Sequence, residues 1–426
     1  MKNDKFIWGN CLDYIGVNMK KMFQSIIIVC VLMVSSASAT LAFGQFKSST
    51  IANHTGITGN YTLQWSMNYG TDPRTCARFQ GPQPIGDADN DGKNELLISG
   101  RDGMLRVMKW NTQQQNYLQV RVLRPPLYPI IHCDAGGMAI GDITNDGKNE
   151  VAATWYDTIY KYFLGKYWII GWNAWIFVNH GGSGDCLIGD CDNDGKNELI
   201  VSGGPLWEAN VSVPEITVFK WNGLFLRKVA GWTDPKVDGY VYMAGLGDVN
   251  DDGKNEIVCA YADKLMVLEW DAAAKAFQGT LVKQYPHNYQ SPFGCVCKDC
   301  DGDGKAEILL SFEYPRIAIW KWNGSAYVTQ YDHTWSGADP VIEGIDVGDT
   351  DGDGVPEVCA GAGITHILQW NGTTYVEEAT LPTYGWMAVL SIGDCDNDGK
   401  NEINAGNVDT ENGQPFMEWI FKYQAD

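Results

Sequence analysis

The string GDCDNDGKNE occurs at residues 189–198 and again, unchanged, at 393–402. Counted from its first aspartate, it carries carboxylates at positions 1, 3, 5 and 9 and a glycine at position 6. Oxygen side chains at alternate positions, folded back by a glycine turn, can surround a hard cation. The same carboxylates could instead act as acid–base groups, or decorate a polar turn. Five further copies vary the string and decide among these readings.

The first copy offers Asp87, Asp89, Asp91, Lys93 and Glu95 at positions 1, 3, 5, 7 and 9. The second offers Asp142, Thr144, Asp146, Lys148 and Glu150, and the third Asp190, Asp192, Asp194, Lys196 and Glu198. The fourth has Asp248, Asn250, Asp252, Lys254 and Glu256, and the fifth Asp299, Asp301, Asp303, Lys305 and Glu307. The sixth has Asp349, Asp351, Asp353, Val355 and Glu357, and the seventh Asp394, Asp396, Asp398, Lys400 and Glu402. Position 7 enters through its backbone carbonyl, so Val355 serves there as well as a lysine. Hard oxygen donors in this number suit Ca2+, which takes about six to eight, better than Mg2+, which retains waters. An EF-hand loop would need its glutamate at position 12, where Val201 and Ile98 stand as strand residues instead. A metal-free turn has no need of oxygen side chains at the same four positions in seven copies. Cation-bound carboxylates stay ionised and make poor general acids, so no catalytic residue is assigned. The expectation is up to seven structural Ca2+, weaker where Thr144 and Asn250 replace a carboxylate.

The first aspartates fall at 87, 142, 190, 248, 299, 349 and 394, a period near 50 that marks a repeat architecture. Each unit has an apolar lead-in, the acidic loop and a β-rich run such as ELIVS. An alternating segment then ends in an aromatic, as in ITVFKW. Trp-Asn-Gly at 221, 322 and 370 reads as a hairpin, and runs from Tyr327 and Tyr375 as its return strand. Four short antiparallel strands in seven units predict an all-β, seven-bladed β-propeller. The last unit lacks a fourth strand, and the orphan run YTLQWS from Tyr61 is expected to supply it.

The apolar lead-in, D-x-D-x-D-G-x-x-[DE] and following β run resemble the FG-GAP/VCBS-type repeats of integrin α-subunit propellers and related microbial surface proteins. The resemblance covers residues 60–426. It implies structural calcium loops on the face opposite the ligand. It also implies a secreted or cell-surface adhesion or recognition module for a protein or carbohydrate. The cross-blade segments expected on that ligand face carry Arg78, His132, Trp232, His287, Trp335 and Trp386. The alternative is an extracellular polysaccharide-active, lyase-like enzyme on the same scaffold.

Composition agrees. The net charge of −21 argues against nucleic-acid partners, and 26 of the 52 Asp and Glu sit in the seven loops. Lys20 and Lys21, an apolar run at 26–34, and Ala37 and Ala39 read as a signal peptide within a leader of residues 1–42, cleaved near 39. Residues 43–59 read as a linker and 60–426 as the propeller, with no membrane span in the mature chain. This predicts an extracellular location. Cysteines at position 2 of three loops read as packing beneath the loop, while others leave disulfides open.

Overall fold

The computed structural model describes residues 58–426 except 73–82, 101, 127, 129–136, 156, 173–181, 205–212, 238, 287–290, 337–340, 410–412 and 425–426. The expected leader (1–42), the linker through 57, Arg78, His132 and His287 lie outside the described residues. Seven four-stranded antiparallel sheets follow one another. Blades 1 to 6 run Ile85–Leu123, Met138–Gly171, Gly182–Thr233, Ala244–Gln284, Pro292–Thr334 and Ile345–Leu381. Blade 7 takes three strands from Trp386–Tyr423 and its outermost strand from Tyr61–Asn68. No helix among the described residues is long and apolar enough to cross a membrane.

Burial explains the run types. The second strand of each blade lies between neighbouring sheets, so Glu95–Gly100 and Glu307–Phe312 are buried at every residue. The fourth strand is a rim, and Leu226–Thr233 is exposed along much of its length. The hairpin aromatics pack directly across the third and fourth strands. Trp110 meets Tyr117, Trp322 meets Tyr327 and Trp370 meets Tyr375, with ring centroids 4.8–5.0 Å apart. These turns differ from the expected two-residue Asn-Gly form. Asn222 Oδ1 accepts the N–H groups of Leu224 and Phe225, and the loop spans four residues. Only the glycine is left-handed there, Gly223 at φ 96°.

The glycine before six of the seven acidic loops allows close approach between inner strands. A Cβ at Gly141 would lie 2.9 Å from Ile188 of the next blade. The same relation joins the last blade to the first: a Cβ on Gly393 would lie 3.1 Å from Ile85. The ring is therefore closed by blade packing as well as by the N-terminal strand. That strand pairs antiparallel with Met417–Tyr423, from Tyr61 opposite Tyr423 to Asn68 opposite Met417. Trp65 is 5% exposed in the core between blades 7 and 1. Because successive strands alternate in direction, all acidic loops and outer hairpins share one face, and cross-blade segments share the other.

Removing a buried indole from the closing strand tests its role. Trp65→Ala should cost about 3–5 kcal/mol in urea denaturation. A loss below about 1 kcal/mol would mean that the strand does not complete the blade.

Candidate metal centres

Each loop is organised by its own carboxylates. Asp87 Oδ1 accepts the Asp91 N–H at 3.0 Å and its Oδ2 the Gly92 N–H at 2.8 Å. The same pair of contacts recurs from Asp142, Asp190, Asp248 and Asp394. Position 5 accepts the N–H of position 7, as Asp91 does from Lys93 at 3.0 Å. Position 4 is left-handed in every copy, from 56° at Asn145 to 82° at Gly352, which suits Asn, Asp and Gly. Position 9 opens the second strand and is buried: Glu95, Glu150, Glu198, Glu307, Glu357 and Glu402 are 0% exposed and Glu256 is 2%. One oxygen of each accepts a loop N–H, for example Cys191 at 3.0 Å and Cys300 at 2.8 Å.

The other oxygen meets a residue that the loop pattern alone does not name. Lys109 Nζ, from the third strand, lies 2.9 Å from Asp89, 2.6 Å from Asp91 and 2.9 Å from Glu95. Lys220 lies 2.8 Å from Asp192, 2.5 Å from Asp194 and 3.1 Å from Glu198. Lys321 and Lys422 make the same three ion pairs, and Lys161 pairs Asp146 and Glu150 and donates to Thr144. Hydrogen bonding to these lysines holds the Asp146 and Asp194 carboxyls below the ordinary range. In these five loops an ammonium takes the contacts a bound cation would take. Asp89 Oδ1, Glu95 Oε1, Asp192 Oδ1 and Glu198 Oε1 are buried without a hydrogen-bond partner, so Lys109 and Lys220 meet those two glutamates as ion pairs alone.

Two loops differ. At the Asp248 loop the equivalent residue is Glu269, and at the Asp349 loop it is Gln369. Gln369 Nε2 donates to Asp353 and Glu357, both at 2.9 Å, but brings no charge. Lys254 reaches Asp252 only from outside, at 3.8 Å. Burial first, then Asp252, Asp248 and Glu269, push Glu256 up to about 7. Burial likewise raises Glu357 to about 7 and lifts Asp351. It raises Glu95 and Glu307 of lysine-bearing loops to about 7 as well, so the absent cation and not the glutamate's titration sets the two loops apart. These two donor sets, dense in carboxylate and lacking an internal cation, fit a Ca2+ ion. A cavity of about 510 Å3 adjoins Asn250, Asp252 and Glu269 and is walled by Trp322 and Tyr327.

A second feature joins the loops. Asn149, at position 8, donates to the Asp87 carbonyl at 2.9 Å, and its N–H meets Asn90 Oδ1 at 2.7 Å. The same double link runs from Asn197 to the Asp142 loop, Asn255 to the Asp190 loop and Asn94 to the Asp394 loop. Ala306 and Pro356 stand at position 8 of the fifth and sixth loops and cannot make it. Each lysine is the residue before its hairpin aromatic, and each asparagine precedes its glutamate. Those are the sequence signals for both features.

Of the residues expected on the ligand face, three are described: Trp232 in blade 3, Trp335 just after the last strand of blade 5 and Trp386 in blade 7. Trp232 packs against Tyr261 with centroids 5.7 Å apart, and Trp335 stacks on His366 at 4.5 Å, two blades away. Trp386 opens the inner strand of blade 7. The apolar side chains with the highest fractional exposure among the described residues are on the loop face. Leu164 is 86% exposed, Leu224 79% and Phe225 54%, in the outer hairpins of neighbouring blades 2 and 3. The eight cysteines in the described residues are buried and free. Cys191, Cys300 and Cys395 pack beneath their loops at 0% exposure, as expected.

The fold and loops define a seven-bladed β-propeller of acidic-loop repeats. Residues 299–360, one repeat with two acidic loops, match the family model of the FG-GAP-like repeat, consistent with an FG-GAP propeller. Comparison with curated proteins gives no match. The chain is similar to BBS1N in two crystal structures of its complex with ARL6DN, soaked with mercury or with lead. The TM-scores are 0.56 and 0.55 at 13% identity, over 86% of this chain and 98% of that chain, a likeness of fold alone.

The asparagine link is testable by a double-mutant cycle. Asn90→Ala and Asn149→Ala should couple by about 0.5–3 kcal/mol in thermal or urea unfolding. Additive losses would show that the link carries no stability.

Proposed function

We propose that this chain is an exported recognition module that binds a protein partner on its propeller surface. The carrying observation is the exposure of Leu164, Leu224 and Phe225 on adjacent hairpins of a ring whose polar loops are bonded to one another. Exposed apolar side chains at the tips of neighbouring hairpins offer a partner an apolar anchor. The other Trp-Asn-Gly copies continue with Ser-Ala or Thr-Thr, so Leu-Phe at 224–225 is particular to blade 3. A propeller of the same fold, BBS1N, is solved in complex with a second protein, ARL6DN, which supports a protein over a carbohydrate. Export rests on Lys20, Lys21, the apolar run at 26–34 and the small residues Ala37 and Ala39.

The test is capture of the cell-surface partner by cross-linking, with the wild type beside Leu224→Asp/Phe225→Asp. The double variant should keep its melting temperature within about 2–4 °C, as exposed substitutions do, and lose the cross-linked species. Equal capture by both proteins would reject this surface.

Calcium in the Asp248 and Asp349 loops is proposed as a stabiliser of the module. At a concentration 100 times Kd, each independent site would add about 2.7 kcal/mol. Chelation should therefore lower the melting temperature, and an unchanged midpoint in EDTA would reject calcium.

A further inference from the structure

Five of the seven loops contain their own cation, and the register that puts it there is the same each time. Lys161 stands directly across the ladder from Glu150, and Lys422 across from Glu402. Gln369 occupies this place opposite Glu357. The five side chains are 14–26% exposed, with Nζ within 3.1 Å of at least two loop carboxylates. A divalent ion entering such a loop would have to expel the ammonium from carboxylates that already bind it. The displaced lysine would lose its charge-assisted bonds, which are stronger than neutral ones. Lysine and Ca2+ are thus alternatives for one place, and the chain supplies the lysine at no cost in association entropy.

We propose that Lys109, Lys161, Lys220, Lys321 and Lys422 are the resident cations of their loops and exclude divalent ions from them. Divalent binding is then confined to the Asp248 and Asp349 loops. That second statement rests on the calcium reading above; the lysine assignment does not. The chain divides one repeated motif into self-neutralised joints and open ion sites through a single residue of the third strand. The Asp248 loop goes furthest: Glu269 adds a carboxylate where five loops add an ammonium and the Asp349 loop a neutral amide, beside the cavity of about 510 Å3.

Two measurements on the full chain test this. The first is reductive methylation read by peptide mass spectrometry, without calcium and in saturating calcium. The five lysines should label about tenfold more slowly than exposed Lys196 and Lys400 in both conditions, the factor that 1.4 kcal/mol of protection makes. Labelling that rises to the Lys196 rate when calcium is added would overturn the proposal. The second is native mass spectrometry of calcium stoichiometry. Two ions are expected in the wild type and three in Lys220→Met, whose loop is opened. Three or more ions in the wild type, or no gain in the variant, would overturn it. A wild-type count of zero with the lysines still protected would sink the calcium reading and leave the lysine assignment standing.

Discussion

A glutamate with no exposed surface begins the second strand of nearly every blade, and the rest of the ring is arranged around that carboxylate. An isolated buried charge is expensive, so both oxygens need partners. One is met by backbone N–H groups of the loop, which fixes the turn. The other is met by the third strand, by lysine in five blades, and by glutamine in the sixth. Burial of this group thus dictates the turn before it, the residue opposite it and the acidity of the loop. Breaking a pair of this kind by removing one partner typically costs about 3–5 kcal/mol, which makes it a strong constraint on each blade.

The blades are joined by a different set of groups. Inner strands touch through the glycines that precede the loops, and the loops touch through the asparagines at positions 4 and 8. The asparagine links are absent where Ala306 and Pro356 stand, and those gaps fall among blades 4, 5 and 6. Lys305 of blade 5 instead reaches Asp251 of blade 4. Blade 5 also replaces the inner glycine by Lys298, whose ammonium lies 2.5 Å from Asp346 of blade 6. The two lysine-free loops belong to blades 4 and 6. One arc of the ring therefore departs from the repeat in its joints and in its ion sites together.

Much of this was legible in the sequence because it is local. Seven loops, the glycine turn, the hairpin aromatics and the missing strand completed by Tyr61–Asn68 all follow from short-range pattern and repeat spacing. The lysines were not read because their meaning depends on strand register. Lys109 is 14 residues from Glu95, and only the ladder places them side by side. The role of the asparagines at position 8 is not legible locally, because their partners lie a whole blade away. The ligand face was read from aromatic and histidine content. Trp232 and Trp335 pack against Tyr261 and His366, and the most exposed apolar groups, Leu164 and Leu224, stand at hairpin tips, which the content of the cross-blade segments does not bear on.

The central claim is that lysine, not a divalent ion, fills most of the loops. The most direct measurement is an anomalous difference map from crystals of this protein soaked in a calcium analogue such as terbium. The account predicts peaks only beside Asp248 and Asp349, with Lys109, Lys161, Lys220, Lys321 and Lys422 in contact with their carboxylates. A peak in the Asp190 loop, with Lys220 swung out to solvent, would contradict it.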